Sequence, residues 1–378
     1  MSIGADNVFG LMAAFLSLAA LAALLENTAI GRRLSGVVLV MLGALAASHF
    51  GVIPRSAPFY GAIWTYLVPL AIALFLLKAD LVKVFSEGGR VLLGFFAGMV
   101  GATVGAILGA AFLDLGANEQ KLAAVYSATY TGGSLNFVAV AEAVNFTDAS
   151  DLAAALAIDN ILGVGFIVVV NLAAGWTLFQ RRFHWRAQSA FAEAPENAGE
   201  SAPPSVAGLL TALACAAVVV ALSESVAAAL GLERYALLFL TVLMTAAATI
   251  GRRFLGRLNG EELIAMILMY LFFAVIGAGA DIDGMLASAP PLFIFVLTIF
   301  IVHLVFLLAA GALLKLNHAE LVVASLACIT GPPVAAAIAI MMNWRNLVAP
   351  GILTGILGYV LGNFIGIGVF TLLGGNLQ

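Results

Sequence analysis

The sequence predicts an all-α membrane protein built from two inverted-topology repeats, each with a Gly/Pro-broken helix that is re-entrant or discontinuous. Three observations lead to this fold class. The chain is 63% apolar and only 10% charged, a motif occurs once in each half, and the basic residues are unevenly distributed. Because a soluble protein of this composition could not cover its surface with polar groups, the chain is expected to lie in a lipid bilayer.

Apolar runs account for most of the chain. Most of them reach the roughly 20 residues that a helix needs to cross the hydrocarbon. The first run follows Asp6 and no basic residue, so it is expected to remain as a span and not to be a cleaved signal peptide. The runs lie near residues 8–25, 34–51, 59–77, 91–114, 121–144, 152–179, 206–231, 235–250, 262–280, 291–314, 319–342 and 347–373.

A polar connector separates the halves. Residues 187–205 are rich in Ala, Pro, Glu and Ser and follow a cluster of arginines. Such a composition cannot bury a core and is typical of a flexible connector. We therefore expect a first transmembrane repeat at 1–180, a cytoplasmic linker at 181–205 and a second transmembrane repeat at 206–378.

A motif with the spacing Asn-(x)3-Leu-(x)8-Thr-Gly occurs at residues 118–132 and again at 317–331. A later apolar segment in each half contains Ile-Leu-Gly, at 161–163 and 356–358. A duplicated membrane unit with a Gly or Pro break at the same place in each copy is the best sequence pointer to the midplane site of a secondary transporter. The motif therefore indicates a transport mechanism and leaves the substrate open.

Basic residues indicate which runs cross the membrane. If all six runs of the first half crossed, Arg32-Arg33 and the arginines at 181–186 would lie on opposite faces, although basic loops normally share the cytoplasmic face. If the runs 121–144 and 319–342 are re-entrant, the basic loops gather inside, the halves are inverted and both termini lie outside. An alternative lets the broken helices cross fully and makes one earlier run non-spanning.

The two breaks are expected to carry the binding site. Backbone groups freed from a helix at this depth are tolerated only where they face protein or a watery cavity. Two half-helices would aim N-terminal dipoles at anionic groups and C-terminal carbonyls at cations. One Gly-Gly or Pro-Pro pair alone could equally mark a kink or a close helix contact, but the matching positions favour function. The expected substrate and ion cradle comprises Thr129, Thr131, Gly132, Gly133, Ser134, Asn136, Thr330, Gly331, Pro332 and Pro333.

Asp159 lies about 12 Å along a helix from Asp151, near the middle of the hydrocarbon. An ionisable residue at this depth is costly and by default a functional hypothesis. We expect Asp159, with Asn160 beside it, to bind Na⁺ or H⁺ as the coupling ion; the alternative is a neutral Asp hydrogen-bonded between helices. The matching place in the second half holds Thr354, so the coupling site is expected to be asymmetric.

Other classes of site find no support in the sequence. It contains no nucleotide-binding loop, no metal-ligand spacing and no nucleophile–base arrangement, so enzyme function, ATP-driven transport and cofactors are not expected. Cys215 and Cys328 lie in apolar runs and are expected to be buried thiols. His303 is expected to be an interhelical hydrogen-bonder, Asn363 to pack helices, and Glu142 could face the cavity.

These residues together resemble a known family. The run Thr-Tyr-Thr-Gly-Gly-Ser-Leu-Asn-Phe at 129–137, the pair Asp159-Asn160 and the break at 330–333 look like the YjcL-like family of bacterial membrane proteins of unknown function, over the whole chain. That family resembles the glutamate:sodium symporters and, more distantly, the bile-acid:sodium symporters and sodium/proton antiporters. The resemblance implies a mobile core domain with the broken helices and a scaffold domain that often dimerises, each built from both repeats. Asp159-Asn160 is similar to the antiporters' acidic ion site, whereas Pro332-Pro333 departs from a second Gly-Gly pair.

We therefore expect a secondary active transporter of the bacterial inner membrane, a Na⁺- or H⁺-coupled symporter of a small organic anion such as an amino acid, peptide or keto acid. The alternative is a cation/proton antiporter that uses Asp159 as its shared ion site. A passive channel would need a continuous polar stripe along several helices, and the sequence has only local polar clusters. Expected partners are the small-molecule substrate, the bilayer and a second copy of the chain, with no nucleic acid.

Overall fold

The structure, a computed structural model, describes residues 2–26, 36–184 and 203–376. Within these ranges all regular secondary structure is helical, and eight helices are long and apolar enough to cross a membrane. The prediction of an all-α membrane protein is confirmed. Most of the predicted linker, and Arg32-Arg33, lie outside the described residues.

Each half contains a long helix, a pair of short helices and another long helix in this order, and in the first half the short α10 follows. The first half contains α1 (Val8–Glu26), α2 (Gly36–His49), α3 (Pro58–Ala62), α4 (Val68–Leu76), α5 (Leu81–Glu87), α6 (Gly89–Phe112), α7 (Glu119–Gly132), α8 (Leu135–Ala143), α9 (Ala149–Gly175) and α10 (Thr177–Arg182). A π-helical turn, Ile63–Leu67, joins α3 to α4 in one span. The second half contains α11 (Val206–Ala229), α12 (Ala236–Ile250), α13 (Arg252–Leu255), α14 (Glu261–Gly279), α15 (Ile282–Leu313), α16 (His318–Ile329), α17 (Pro332–Met341) and α18 (Val348–Leu372).

Short polar side chains start several of these apolar helices. Asp80, Asp148 and Ser205 each accept a hydrogen bond from a backbone N–H in the first turn of α5, α9 and α11. Asn317 forms a full capping box with Glu320 at the start of α16. Because the first N–H groups of a helix have no intrahelical acceptor, these caps fix where the helices begin.

The helices α7 and α8 double back on each other and form a first hairpin, residues 119–143. At its open end the Lys121 Nζ donates a hydrogen bond to the carbonyl oxygen of Asn145 at 2.8 Å. Further in, the rings of Tyr126 and Phe137 pack edge to face with centroids 6.3 Å apart. Helices of 14 and 9 residues are about 21 and 14 Å long, too short to cross roughly 30 Å of hydrocarbon singly.

The helices α16 and α17 form a second hairpin, residues 318–341. At its open end the rings of His318 and Trp344 lie with centroids 5.7 Å apart. Asn145 and Asn343 follow the two hairpins in the same left-handed conformation, with φ of 53° and 58°. Each broken run therefore enters and leaves at one end of the molecule. This hairpin geometry agrees with the re-entrant interpretation, and which segments cross the bilayer stays a prediction.

The two hairpins enter from opposite ends of α6. At the base of the second hairpin, Glu320 pairs with Arg90 in the first turn of α6, with Nε and Oε1 3.1 Å apart. The first hairpin starts just beyond the other end of α6, where Asn118 donates to Asp151 at 2.6 Å and Ser288 donates to the same carboxylate at 2.9 Å. This arrangement is the one that inverted repeats require; the superposition of the halves stays a prediction.

Three of the basic segments predicted to share one face, at Arg90, at Lys315 and at the end of α10, lie together at the base of the second hairpin. Arg90 donates hydrogen bonds to the carbonyl oxygens of Leu314 and Lys315. The carbonyl oxygen of Phe183, directly after the arginines of α10, accepts from the N–H of His318 at 3.0 Å. This grouping agrees with the expectation that the basic loops share one face of the membrane. The assignment of this end to the cytoplasm stays a prediction.

The helices pack in two groups, and each group draws on both halves of the chain. In one group α6, α9, α15 and α18 surround the two hairpins. In the other α14 packs against α2 and α4, α11 against α4 and α12, and α1 against α2 and α14. The groups have the composition expected of a core and a scaffold. Motion of one against the other stays a prediction.

Candidate ion and substrate site at the meeting of two hairpins

The tips of the two hairpins touch. Gly133 has φ 113° and ψ 176°, and Gly331 has φ 85° and ψ −179°, a conformation that is essentially restricted to glycine. A Cβ atom added at Gly133 would lie 3.4 Å from the Cα of Gly331. The repeated motif aligns Gly132 with Gly331, whereas the backbone makes Gly133 the equivalent of Gly331, because the first half has one more residue between the first Asn of the motif and the tip.

The helix α18 lies directly against both tips. A Cβ at Gly132 would lie 2.7 Å from the Cα of Gly358, and a Cβ at Gly355 would lie 2.8 Å from the Pro332 ring. No side chain fits in these contacts, so glycine is required on both sides at the Gly132–Gly358 contact. The Ile-Leu-Gly segment of the second half is therefore the surface on which the tips rest.

Asn136 fastens the first tip to α18. Its side chain is buried, and its Nδ2 donates to the carbonyl oxygens of Gly358 at 2.9 Å and Ala128 at 3.1 Å. Both amide hydrogens are thus used by backbone acceptors on two other helices. Asn136, predicted as part of the cradle, lies in the site and also holds it together.

Asp159 lies beside the first tip. It is 6% exposed, and its Oδ2 accepts a hydrogen bond from the hydroxyl of Ser134 at 3.0 Å. Ser134 itself is exposed. Among the described residues Asp159 takes part in no ion pair. A buried carboxylate without a charged partner is costly unless it binds a proton or a cation, so the arrangement suits an ion site.

Tyr126 and Tyr130 are neighbours of this carboxylate that the sequence analysis did not select. The Tyr126 hydroxyl donates to the carbonyl oxygen of Ala155 at 2.8 Å, one turn before Asp159 on α9. The Tyr130 ring stacks on that of Tyr126 with centroids 5.6 Å apart. The buried Tyr130 hydroxyl lies close enough to Asp159 to interact directly with it, although the contact falls outside strict hydrogen-bond geometry. The tyrosine within the broken motif, at position 130, is the sequence signal that could have identified this residue.

Three predicted threonines turn their hydroxyl hydrogens away from the tips. Thr129, Thr131 and Thr330 each donate to the carbonyl oxygen four residues earlier in the same helix, at 2.7, 2.7 and 2.8 Å. Their oxygen lone pairs remain available, because donating uses only the hydrogen. As ligands they can therefore only accept, which suits a cation better than an anion.

The remaining predicted residues lie in different surroundings. Pro332 is buried against Gly355, while Pro333 is exposed. The Asn160 amide donates to the carbonyl oxygen of Leu156 on its own helix at 2.8 Å. Adjacent residues of a helix point about 100° apart, so Asn160 does not face the same direction as Asp159. Asn160 is thus not brought to the carboxylate's side of α9.

A cavity of about 400 Å³ lies between the end of α8 and the helices α4, α11 and α12. Its lining includes the carboxylates of Glu142, Glu224 and Glu233 together with Trp64 and Asn145. Glu142 lines this cavity at the end of α8 away from the tip, so whether it faces the cavity at the breaks stays a prediction. Three carboxylates on one cavity produce a negative potential that concentrates cations.

The other polar residues singled out from the sequence have structural contacts. His303 joins three helices, with Nδ1 2.9 Å from the carbonyl oxygen of Gly98 and Nε2 2.9 Å from the Ser325 hydroxyl. Cys215 and Cys328 are free thiols, half-buried and buried. The residues that the structure describes contain no group of three or more His, Cys, Asp or Glu that could hold a metal ion.

Comparison with known proteins identifies the family. The family model described as "Protein of unknown function (DUF819)" matches residues 13–374. The chain is also 34% identical over 357 residues to the "Uncharacterized membrane protein YjcL" of Bacillus subtilis (strain 168), an alignment that covers 88% of each chain. This agrees with the resemblance of the broken-helix motif to the YjcL-like proteins. The chain belongs to the DUF819 family of membrane proteins.

Proposed function

We propose that the protein is a secondary active transporter that carries a small organic anion, such as an amino acid, peptide or keto acid, together with Na⁺ or H⁺. One observation carries the proposal. Asp159 is buried without an ion-pair partner and is hydrogen-bonded to the exposed Ser134, at the place where two hairpins from opposite ends of the molecule meet. Discontinuous helices that meet in the middle of a membrane are typical of the binding sites of such transporters.

The cation has a defined physical role in this mechanism. An ionised Asp159 would be costly to move through surroundings of low dielectric constant, whereas the same carboxylate with a bound Na⁺ or H⁺ carries no net charge. Loading the ion therefore lowers the barrier to the change between outward-open and inward-open states. Ser134 supplies the exposed end of the route to this site.

The first hairpin also supports an anionic cargo. The helix α8 starts at Leu135, directly after the tip, so its first N–H groups and the positive end of its dipole face the meeting point. The helix α17 starts with Pro332 and Pro333, which have no N–H to offer. An anionic group of the cargo would thus be held by the first hairpin, and the second would close over it.

A second candidate, cation/proton antiport with Asp159 as the shared site, is favoured by one specific feature. The cavity of about 400 Å³ presents three carboxylates, Glu142, Glu224 and Glu233, and would attract cations while repelling an organic anion. In this mechanism the cavity leads a cation toward the first hairpin, and no organic cargo is needed.

Location, orientation and oligomeric state are also part of the proposal. We place the protein in the bacterial inner membrane with the basic base of the second hairpin in the cytoplasm and both termini outside, in accord with the rule for positive residues. A homodimer through the second group of helices is part of the proposal. No enzyme activity and no nucleic-acid partner are proposed.

Purified protein in proteoliposomes would test this function. We expect uptake of at least one solute from a panel of amino acids, short peptides and keto acids when an inward Na⁺ or proton gradient is imposed. Liposomes without protein, and gradients collapsed by an ionophore, are the controls. Cation-driven change of an internal pH dye without any solute would select antiport, and absence of both signals under every gradient would refute secondary transport.

A further inference from the structure

The Tyr130 hydroxyl reaches the level of Asp159 because α7 and α9 start at the same end, run in the same direction and are bridged by side chains. Their starts are joined by the hydrogen bond from Asn118 to Asp151. One rung further in, the Tyr126 hydroxyl donates to the carbonyl oxygen of Ala155. Residues one helical turn later, Tyr130 on α7 and Asp159 on α9, form the next rung. These successive side-chain contacts between the two helices therefore place the Tyr130 phenol near the Asp159 carboxylate.

This rung differs from the previous one because its hydroxyl is unpartnered. Tyr130 is fully buried, and among the described residues no hydrogen bond satisfies its hydroxyl oxygen. A buried polar group without a partner is destabilising, so it calls for an explanation such as a functional role or a bound water or ion. The phenol lies close enough to Asp159 to interact directly with the carboxylate, although the contact falls outside strict hydrogen-bond geometry.

Aromatic rings close the other sides of this position. The Tyr130 ring stacks on Tyr126 and packs edge to face on Phe300, with centroids 5.6 and 4.9 Å apart. Phe166, which contacts Phe300 at 4.6 Å, extends the apolar wall. An ion bound beside Tyr130 would therefore be shielded on the aromatic side and held by oxygen atoms on the side of α9 and the tip.

We propose that the Tyr130 hydroxyl, the Ser134 hydroxyl and the Asp159 carboxylate are ligands of one Na⁺ site. Oxygen atoms that share a small cation stand further apart than a hydrogen-bonded pair, which agrees with the position of the phenol near the carboxylate. The Ser134 hydroxyl, which donates to Asp159 at 3.0 Å, would turn its hydrogen away and its lone pair toward the bound ion. The donors are hard oxygens, and the single carboxylate balances one positive charge, whereas Ca²⁺ and Mg²⁺ usually take more carboxylates. The role of this Na⁺ in coupling rests on the proposed function; its binding does not.

The test compares Tyr130→Phe with Tyr126→Phe, two changes that each remove one hydroxyl from stacked rings. Melting temperatures are measured for purified protein at fixed pH while NaCl replaces choline chloride at constant ionic strength. We expect the melting temperature of the wild-type protein to rise with Na⁺ concentration and to reach a plateau. In Tyr130→Phe the midpoint for Na⁺ should rise at least tenfold, with a smaller loss of stability in choline than in Tyr126→Phe, because the Tyr130 hydroxyl makes no geometrically complete hydrogen bond there. In Tyr126→Phe the melting temperature should fall in choline and the Na⁺ midpoint should stay at the wild-type value.

An unchanged Na⁺ midpoint in Tyr130→Phe would overturn the assignment of the phenol as a ligand. Wild-type protein without any Na⁺ response would overturn the Na⁺ site. Proton-driven transport by the same preparation in proteoliposomes would then show that the proposed transport function stands, whereas absence of transport under every gradient would reject that function separately.

Discussion

The Asp159 carboxylate and the Ser134 hydroxyl are hydrogen-bonded at 3.0 Å, which joins the long helix α9 to the tip of the first hairpin. One partner is buried and the other exposed. The bond thus connects a buried carboxylate without an ion-pair partner to an exposed side chain at the tip. In the proposed mechanism an ion enters beside Ser134.

The conformation of the tips leads to a first prediction. Gly133→Leu should abolish transport, because a side chain at φ 113° is strained by about 1–3 kcal/mol and would occupy the space where the tips meet. Insertion into the membrane should be preserved. The control is Gly163→Leu on α9, where an added Cβ meets nothing within 4 Å. The measurement is uptake or ion flux in proteoliposomes at matched protein content. Near wild-type flux in Gly133→Leu would remove the tips from the site.

The contact between α7 and α18 leads to a second prediction. Gly132→Ala should lower the melting temperature and the yield of folded protein, because the new methyl group would lie 2.7 Å from the Cα of Gly358 and force the helices apart. Gly368→Ala on α18 has open space around it and should be tolerated. Thermal unfolding in detergent compares the two. Equal stability of both variants would show that the close contact is not required.

Local sequence predicts the parts of this site that depend on local chemistry. The breaks follow from glycine and proline, and re-entry follows from the distribution of basic residues, so both were predictable. The repeated motif pairs Gly132 with Gly331, whereas the backbone conformation pairs Gly133 with Gly331. The two differ because the motif is aligned from its first Asn, while the structures are aligned from the turn. Asn160 was included beside Asp159 although helical rotation turns it away.

Contacts between helices distant in the chain were not predictable from one sequence. Nothing in the local pattern around Gly358 indicates that it packs on Gly132, 226 positions earlier in the numbering. Tyr130 was visible within the motif, but its missing hydrogen-bond partner and its rung opposite Asp159 are properties of the packed helices. Tertiary packing therefore decides which polar residues of a membrane helix belong to the site.

The opposed hairpins lead to a third prediction, about topology. In a background without Cys215 and Cys328, Thr147→Cys should react with an impermeant thiol reagent only from outside, and Arg345→Cys only from inside. Both positions are exposed, just after the first and second hairpins. A cysteine at position 195, in the linker, should behave like the one at 345. Labelling of positions 147 and 345 from the same face would contradict opposed entry.

The role of Asp159 leads to the last prediction. Asp159→Asn keeps the size of the side chain and can still accept from Ser134, so the fold should be retained. A coupling carboxylate cannot be replaced in this way, because the amide neither binds a proton in the working pH range nor balances a cation. Asp148→Asn is the matched control, since it neutralises a carboxylate at the start of the same helix and Asn caps a helix as well as Asp does.

The most direct measurement is flux in proteoliposomes as a function of Na⁺ concentration and pH for wild type, Asp159→Asn and Asp148→Asn. We predict ion-dependent flux in wild type and Asp148→Asn, and in Asp159→Asn either background flux or a residual flux without Na⁺ or pH dependence. Ion dependence of Asp159→Asn equal to that of wild type would contradict the account, and would leave the backbone carbonyls at the two tips as the cation ligands.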